Sequence, residues 1–224
     1  MNAIPIKICG LTREQDVLAA VTAGANAIGF VLYPPSPRHV SAQRAAELAA
    51  LLPAFVAPVL LFVNATFEDI RQAAEQVPGA WLQFHGDETP EFCASTAQTL
   101  GRRWLRVARI PQETPEGKAP FDLVNYAFLY QQADALLLDT LVDAYGGSGH
   151  RFNWSQLPTN VNAHLVLSGG LTPANVADGI RAVHRCGLSL AVDVSSGVES
   201  AKGIKDPDKI RAFVAAVRNT TLAD

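Results

Sequence analysis

Cys9 closes the apolar run Ile4-Pro5-Ile6-Lys7-Ile8, and Gly10 follows at once. A thiolate can act as base, nucleophile or metal ligand, whereas a valine there would only pack. Taken by itself, a cysteine in that place reads as a small, inert core residue. Asp139 closes a second apolar run, Ala135-Leu136-Leu137-Leu138. An apolar setting raises a carboxyl's pKa and suits it to hold a proton near neutral pH. Arg38 follows the stiff stretch Pro34-Pro35-Ser36-Pro37, and its planar fork matches a carboxylate. Glycine-rich stretches stand at Gly146-Gly147-Ser148-Gly149, Gly169-Gly170 and Ser195-Ser196-Gly197. Such turns let backbone amides approach an anion closely, phosphate above all.

These residues sit at the ends of apolar runs that recur along the chain: Ile4–Cys9, Ala27–Tyr33, Val59–Val63, Trp81–His85, Trp104–Ala108, Ala135–Asp139, Leu165–Ser168 and Leu190–Val194. They are short and mostly continuous, as parallel strands buried on both faces require. Helical patterns lie between them. One begins at Thr12 and closes at Gly24; others start at Ser41, Thr66, Pro173 and Pro207. Residues 110–130 read as a loop with a short helix around Leu123–Gln132.

Eight strands alternating with helices predict an α/β protein, either a closed (β/α)8 TIM barrel or an open doubly wound sheet. The turn after the first strand, Cys9-Gly10-Leu11-Thr12, lacks the second glycine of a dinucleotide fingerprint. The barrel is favoured, as a single domain over residues 1–224, small beside the roughly 250 residues typical of the class. Its chemistry would gather at the C-terminal strand ends. The polar residues there are Cys9, Tyr33 with Arg38, Asn64, Gln83 with His85, Arg109, Asp139, Ser168 with Gly169 and Gly170, and Asp193 with Ser195, Ser196 and Gly197.

A net charge of −3 with no dense basic cluster argues against a nucleic-acid face. No apolar run is long enough to span a bilayer, and no secretory leader is apparent. Three scattered cysteines with no CxxC pair suggest neither a disulfide framework nor zinc. Cys93 and Cys186 read as buried free thiols of a cytoplasmic protein.

The blocks "KICGLT", "GFVLYPPSPRHV", "LQFHGDE", "LLLDT", "GGSGHRFNW", "LSGGLTPANV" and "DVSSGVESAKGIKDPDKI" run in order from Lys7 to Ile210. Together they resemble the phosphoribosylanthranilate isomerase family of tryptophan biosynthesis. Asn153 departs from the family's usual aspartate, and Ser148 from its usual threonine. The resemblance implies an Amadori rearrangement of N-(5-phosphoribosyl)anthranilate, an internal aldose-to-ketose isomerisation needing no cofactor and no metal. It implies Asp139 as general acid and Cys9 as general base, the thiol made more acidic by an electropositive site with Lys7 on the same side of the strand. Arg38 would anchor the anthranilate carboxylate. Lys7, Gln83, His85 and Asp193 complete the expected substrate-binding set, His85 in a supporting part. Gly147, Gly149, Gly169, Gly170, Ser195, Ser196 and Gly197 would hold the phosphate. The expected partner is the phosphorylated anthranilate substrate, with no nucleic acid and no membrane, on a monomer or homodimer.

Two other enzymes use the same barrel. A metal-dependent sugar-phosphate epimerase would want histidines and aspartates converging as ligands. The second strand ends in Leu32-Tyr33-Pro34 instead, and the five histidines are scattered. An indole-glycerol-phosphate synthase would want a catalytic lysine and glutamate at strand ends. A non-catalytic barrel would bind the product without turning substrate over.

Overall fold

The computed structural model describes residues 3–112, 120–140 and 153–222. Its strands are β1 (Ile6–Cys9), β2 (Ala27–Val31), β3 (Ala57–Phe62), β4 (Trp81–Phe84), β5 (Trp104–Ile110), β6 (Ala135–Thr140), β7 (His164–Leu167) and β8 (Ser189–Val194). They form a closed parallel barrel in sequence order. Closure joins β1 to β8, pairing Ile6 with Val192, Lys7 with Asp193 and Ile8 with Val194.

Strand alternation explains why the runs are continuously apolar. Ile8, Ile28, Leu60, Leu82, Leu138 and Val192 point outward and are fully buried beneath the helices. Val59, Leu105, Val107, Leu137 and Val166 point inward and fill the lower barrel. Above them, Cys9, Val31, Leu61 and Val63 with Tyr33 form a smaller apolar layer under the mouth. The interior is therefore a packed plug below and a site above.

The helices are α1 (Glu14–Ala23), α2 (Ala42–Ala49), α3 (Phe67–Gln76), α4 (Pro90–Leu100), α5 (Leu123–Leu129), α6 (Val176–Val183) and α7 (Pro207–Arg218). Ser41 caps α2, Thr66 caps α3 through a capping box, and Pro207 opens α7, as their spacing predicts. Two expected starts move. Helix α1 begins after Arg13 rather than at Thr12, because Arg13 is held by the Asp16 carboxylate at 2.9 and 2.6 Å. Helix α6 begins at Val176, three residues past Pro173, because Asn175 Oδ1 accepts from Thr172 N–H and makes residues 172–175 a separate turn. Between β6 and β7 the described residues carry a 3-10 turn, Trp154–Gln156, capped by Asn153. The aspartate-to-asparagine departure thus falls on a capping position that asparagine fills equally well. Cys93 and Cys186 are buried and free. Among the described residues, no helix is long and apolar enough to cross a membrane.

Candidate active site

A cavity of about 770 Å³, open to solvent, occupies the barrel mouth. Cys9, Arg38, Gln83, His85, Asp139, Gly169, Gly170, Asp193, Ser195 and Ser196 all line it. One layer deeper, Lys7 is 5% exposed and donates to Asp193 Oδ1 at 2.8 Å. It supports the site from beneath instead of lining it. Gly197 does not line the cavity either: a Cβ there would lie 1.8 Å from the Leu171 carbonyl oxygen, so glycine lets the two turns after β7 and β8 touch. Gly147 and Gly149 lie outside the described residues, as does Ser148.

Cys9 points inward at the end of β1 and is 4% exposed. Burial pushes its thiol above the ordinary value, Lys7 opposes this, and Asp193 adds to it. The expectation of a thiol made more acidic by its surroundings is therefore corrected: the Lys7 charge is largely matched by Asp193 and desolvation prevails. Burial also acts to lower the Lys7 pKa, but Asp193 and Cys9 outweigh it and keep the ammonium charged. Asp193 is held on its other oxygen by Ser168 Oγ at 3.2 Å.

Asp139 is the penultimate residue of β6, its side chain 15% exposed and so only partly withdrawn from water. Its Oδ1 accepts from the Thr140 N–H at 2.8 Å. His85 Nε2 stands 3.2 Å from Oδ2 without making a hydrogen bond to it. Gln83 Nε2 lies 3.3 Å from His85 Nδ1. An amide N–H donates, so with the ring proton on Nε2 this contact is a hydrogen bond to Nδ1. Gln83 Oε1 is buried without a hydrogen-bond partner among the described residues.

Arg38 is 7% exposed, not a solvated surface arginine. Its Nε and Nη2 donate to the two oxygens of Glu199 at 2.7 and 2.8 Å. The side edge of the fork is thus already occupied by Glu199. Gly169 and Gly170 have φ of 72° and 67°, the left-handed region that glycine enters without strain. A Cβ at Gly169 would stand 2.6 Å from Thr140 Oγ1 and 3.1 Å from Asp139 Oδ1, so this turn packs directly against the end of β6.

Sequence reasoning missed Glu199 and Lys205, and also the buried pair of Glu88 Oε2 and Arg106 Nη1 at 2.6 Å behind β4 and β5. Glu88 accepts from the Asn64 and Gly86 N–H groups at 2.7 and 2.9 Å, tying together the turns after β3 and β4. A charged Arg106 inside an apolar strand was the signal available for it.

The family model of N-(5'-phosphoribosyl)anthranilate (PRA) isomerase matches residues 6–216. The N-(5'-phosphoribosyl)anthranilate isomerase of Dechloromonas aromatica is 55% identical over 213 residues, covering 95% of this chain and 95% of that protein. The crystal structure of phosphoribosyl anthranilate isomerase from Thermotoga maritima superposes with a TM-score of 0.81 at 36% identity, covering 96% of this chain and 98% of that one. A phosphoribosyl anthranilate isomerase solved in complex with reduced 1-(o-carboxyphenylamino)-1-deoxyribulose 5-phosphate has a TM-score of 0.78 at 34% identity, covering 96% and 98%. The match runs through every strand of the barrel, and the chain belongs to the N-(5'-phosphoribosyl)anthranilate isomerase family.

Proposed function

We propose that this chain rearranges N-(5'-phosphoribosyl)anthranilate into 1-(o-carboxyphenylamino)-1-deoxyribulose 5-phosphate by general acid–base catalysis in the barrel mouth. The family supports the overall reaction. The observation that carries the mechanism is that Cys9 and Asp139, distant in sequence, line one cavity with Arg38 and the turns after β7 and β8.

Asp139 gives its proton to the ribose ring oxygen as the C1–O bond breaks, and the nitrogen lone pair forms the C1=N iminium. Cys9, as thiolate, then removes the C2 proton. The C–H electrons become C1=C2 and the iminium pair returns to nitrogen. The enolamine gains a proton at C1 and loses the one on its C2 hydroxyl, giving the ketose. Hydrogen moves only as protons, so the step needs no redox partner. The iminium cation acidifies C2, and placed beside the sulfur it favours the thiolate against the burial that disfavours it. His85, its Nε2 3.2 Å from Asp139 Oδ2, stands where it can steady the carboxylate left by ring opening.

Arg38 anchors the anthranilate carboxylate. The backbone N–H groups of Gly169, Gly170, Ser195 and Ser196 hold the phosphate, where barrels of this kind commonly bind it. Gln83 offers its free Oε1 to a substrate hydroxyl, and Asp193, pinned by Lys7 and Ser168, lies along the same wall. An anthranilate-fluorescence assay with EDTA present tests the activity. Continuous loss of substrate is expected; tight binding of the product without turnover, or activity abolished by the chelator, contradicts it.

A further inference from the structure

The 3-10 turn Ser196–Val198 runs into a small antiparallel hairpin, β9 (Glu199–Ala201) and β10 (Ile204–Lys205), separate from the barrel sheet. Its first and last residues are charged, yet the Glu199 side chain is 6% exposed and that of Lys205 is 0% exposed. Lys205 Nζ donates to Glu199 Oε1 at 2.9 Å and to the Ser195 carbonyl at 3.0 Å. Burying such a group is unfavourable unless its partners are well placed, so the arrangement calls for a reason.

Arg38 supplies one. A guanidinium has five N–H groups. Glu199 takes Nε–H and one hydrogen of Nη2. Both hydrogens of Nη1 and the second on Nη2 have no partner among the described residues. Those groups form the end-on edge of the fork, a second site for two parallel hydrogen bonds to a carboxylate. Charge matters equally. Glu199 is shared between two basic side chains, Arg38 and Lys205, although burial works to lower the Lys205 pKa. Burial works to raise the Glu199 pKa, but Arg38 and Lys205 outweigh it and keep the carboxylate ionised.

We propose that Glu199, charge-balanced by Lys205, is a positioning residue that turns the end-on edge of Arg38 toward the mouth and so selects substrates with an ortho-carboxylate on the aromatic amine. This rests on reading Arg38 as the carboxylate anchor. Without Glu199 the arginine keeps its charge but loses its fixed direction, so recognition weakens while proton transfer persists.

The test compares two inhibitors, reduced 1-(o-carboxyphenylamino)-1-deoxyribulose 5-phosphate and its phenylamino counterpart lacking the carboxylate, on the wild type, Glu199→Gln and Arg38→Ala. Glu199→Gln should weaken the carboxylated analogue and raise KM by about tenfold, the scale of one charge-assisted hydrogen bond. Affinity for the plain analogue and kcat should stay near their wild-type values. Arg38→Ala should remove the discrimination between the two. If Arg38→Ala discriminates as the wild type does, the reading of Arg38 as anchor fails. If it loses discrimination while Glu199→Gln keeps it, Arg38 stands and the role of Glu199 is wrong. Equal weakening of both analogues in Glu199→Gln also overturns the proposal, because it assigns Glu199 to the fold or to the Ser195 turn. Should Glu199→Gln not fold, Glu199→Asp is read in its place. It keeps the charge at a shorter reach and is expected to lose part of the discrimination; wild-type discrimination in it overturns the proposal.

Discussion

Lys7 and Asp193 stand at matched register on the two strands that close the barrel, their side chains joined at 2.8 Å directly beneath Cys9. This pairing keeps the lysine charge from acting on the thiol alone. Cys9, held above the ordinary thiol value, accumulates its base form only as pH rises through that raised value. The alkylation rate of Cys9 should therefore climb mainly on the alkaline side. Asp193→Asn leaves Lys7 facing the sulfur without its counter-charge, and the limb should move to lower pH by about one unit or more. Iodoacetamide labelling followed against pH reads this; an unchanged or more alkaline limb would show that Lys7 does not act on the thiol.

Gly29 is the register partner of Cys9 on β2, and a Cβ there would lie 2.6 Å from the sulfur and 3.1 Å from Cys9 Cα. Gly29→Ala must displace the thiol from its place in the upper apolar layer. A displacement of about 1 Å at a reacting group can lower the rate about 100-fold. The expected result is a fall in kcat of that order with KM changed far less; normal kcat would mean that the position of the sulfur is not critical.

Glu88 and Arg106 are paired behind the wall formed by β4 and β5, their side chains 3% and 5% exposed. Removing one partner leaves the other charge buried, at a loss of about 3–5 kcal/mol. Glu88→Ala should lower unfolding stability by that amount in urea titrations. A loss below about 1 kcal/mol, the range of an exposed pair, would contradict the packing described.

The strands were legible because a barrel buries both faces of each, so their runs stand out whatever the loops do. Cys9, Gln83, Asp139 and Asp193 were legible for a related reason, as polar residues at inward positions where apolar ones would otherwise continue. Helix α4 was overlooked, although Thr89 accepts from the Phe92 N–H and Pro90 follows it, an ordinary helix start. The relations that escaped are long-range. Nothing near Arg38 announces Glu199, 161 positions away, and nothing near Cys9 says that Lys7 is matched by a carboxylate 186 positions on. Local sequence suggested a positive neighbourhood for the thiol, and only barrel closure reveals its neutralisation.

The central claim is that Cys9 and Asp139 exchange protons with one substrate from opposite sides of one mouth. The turnover numbers of Cys9→Ala and Asp139→Asn, measured side by side by loss of anthranilate fluorescence, test it most directly. Each should fall by about 10²–10⁴, the contribution of a positioned acid or base. Near-normal turnover in either variant, with the fold intact, would contradict the account.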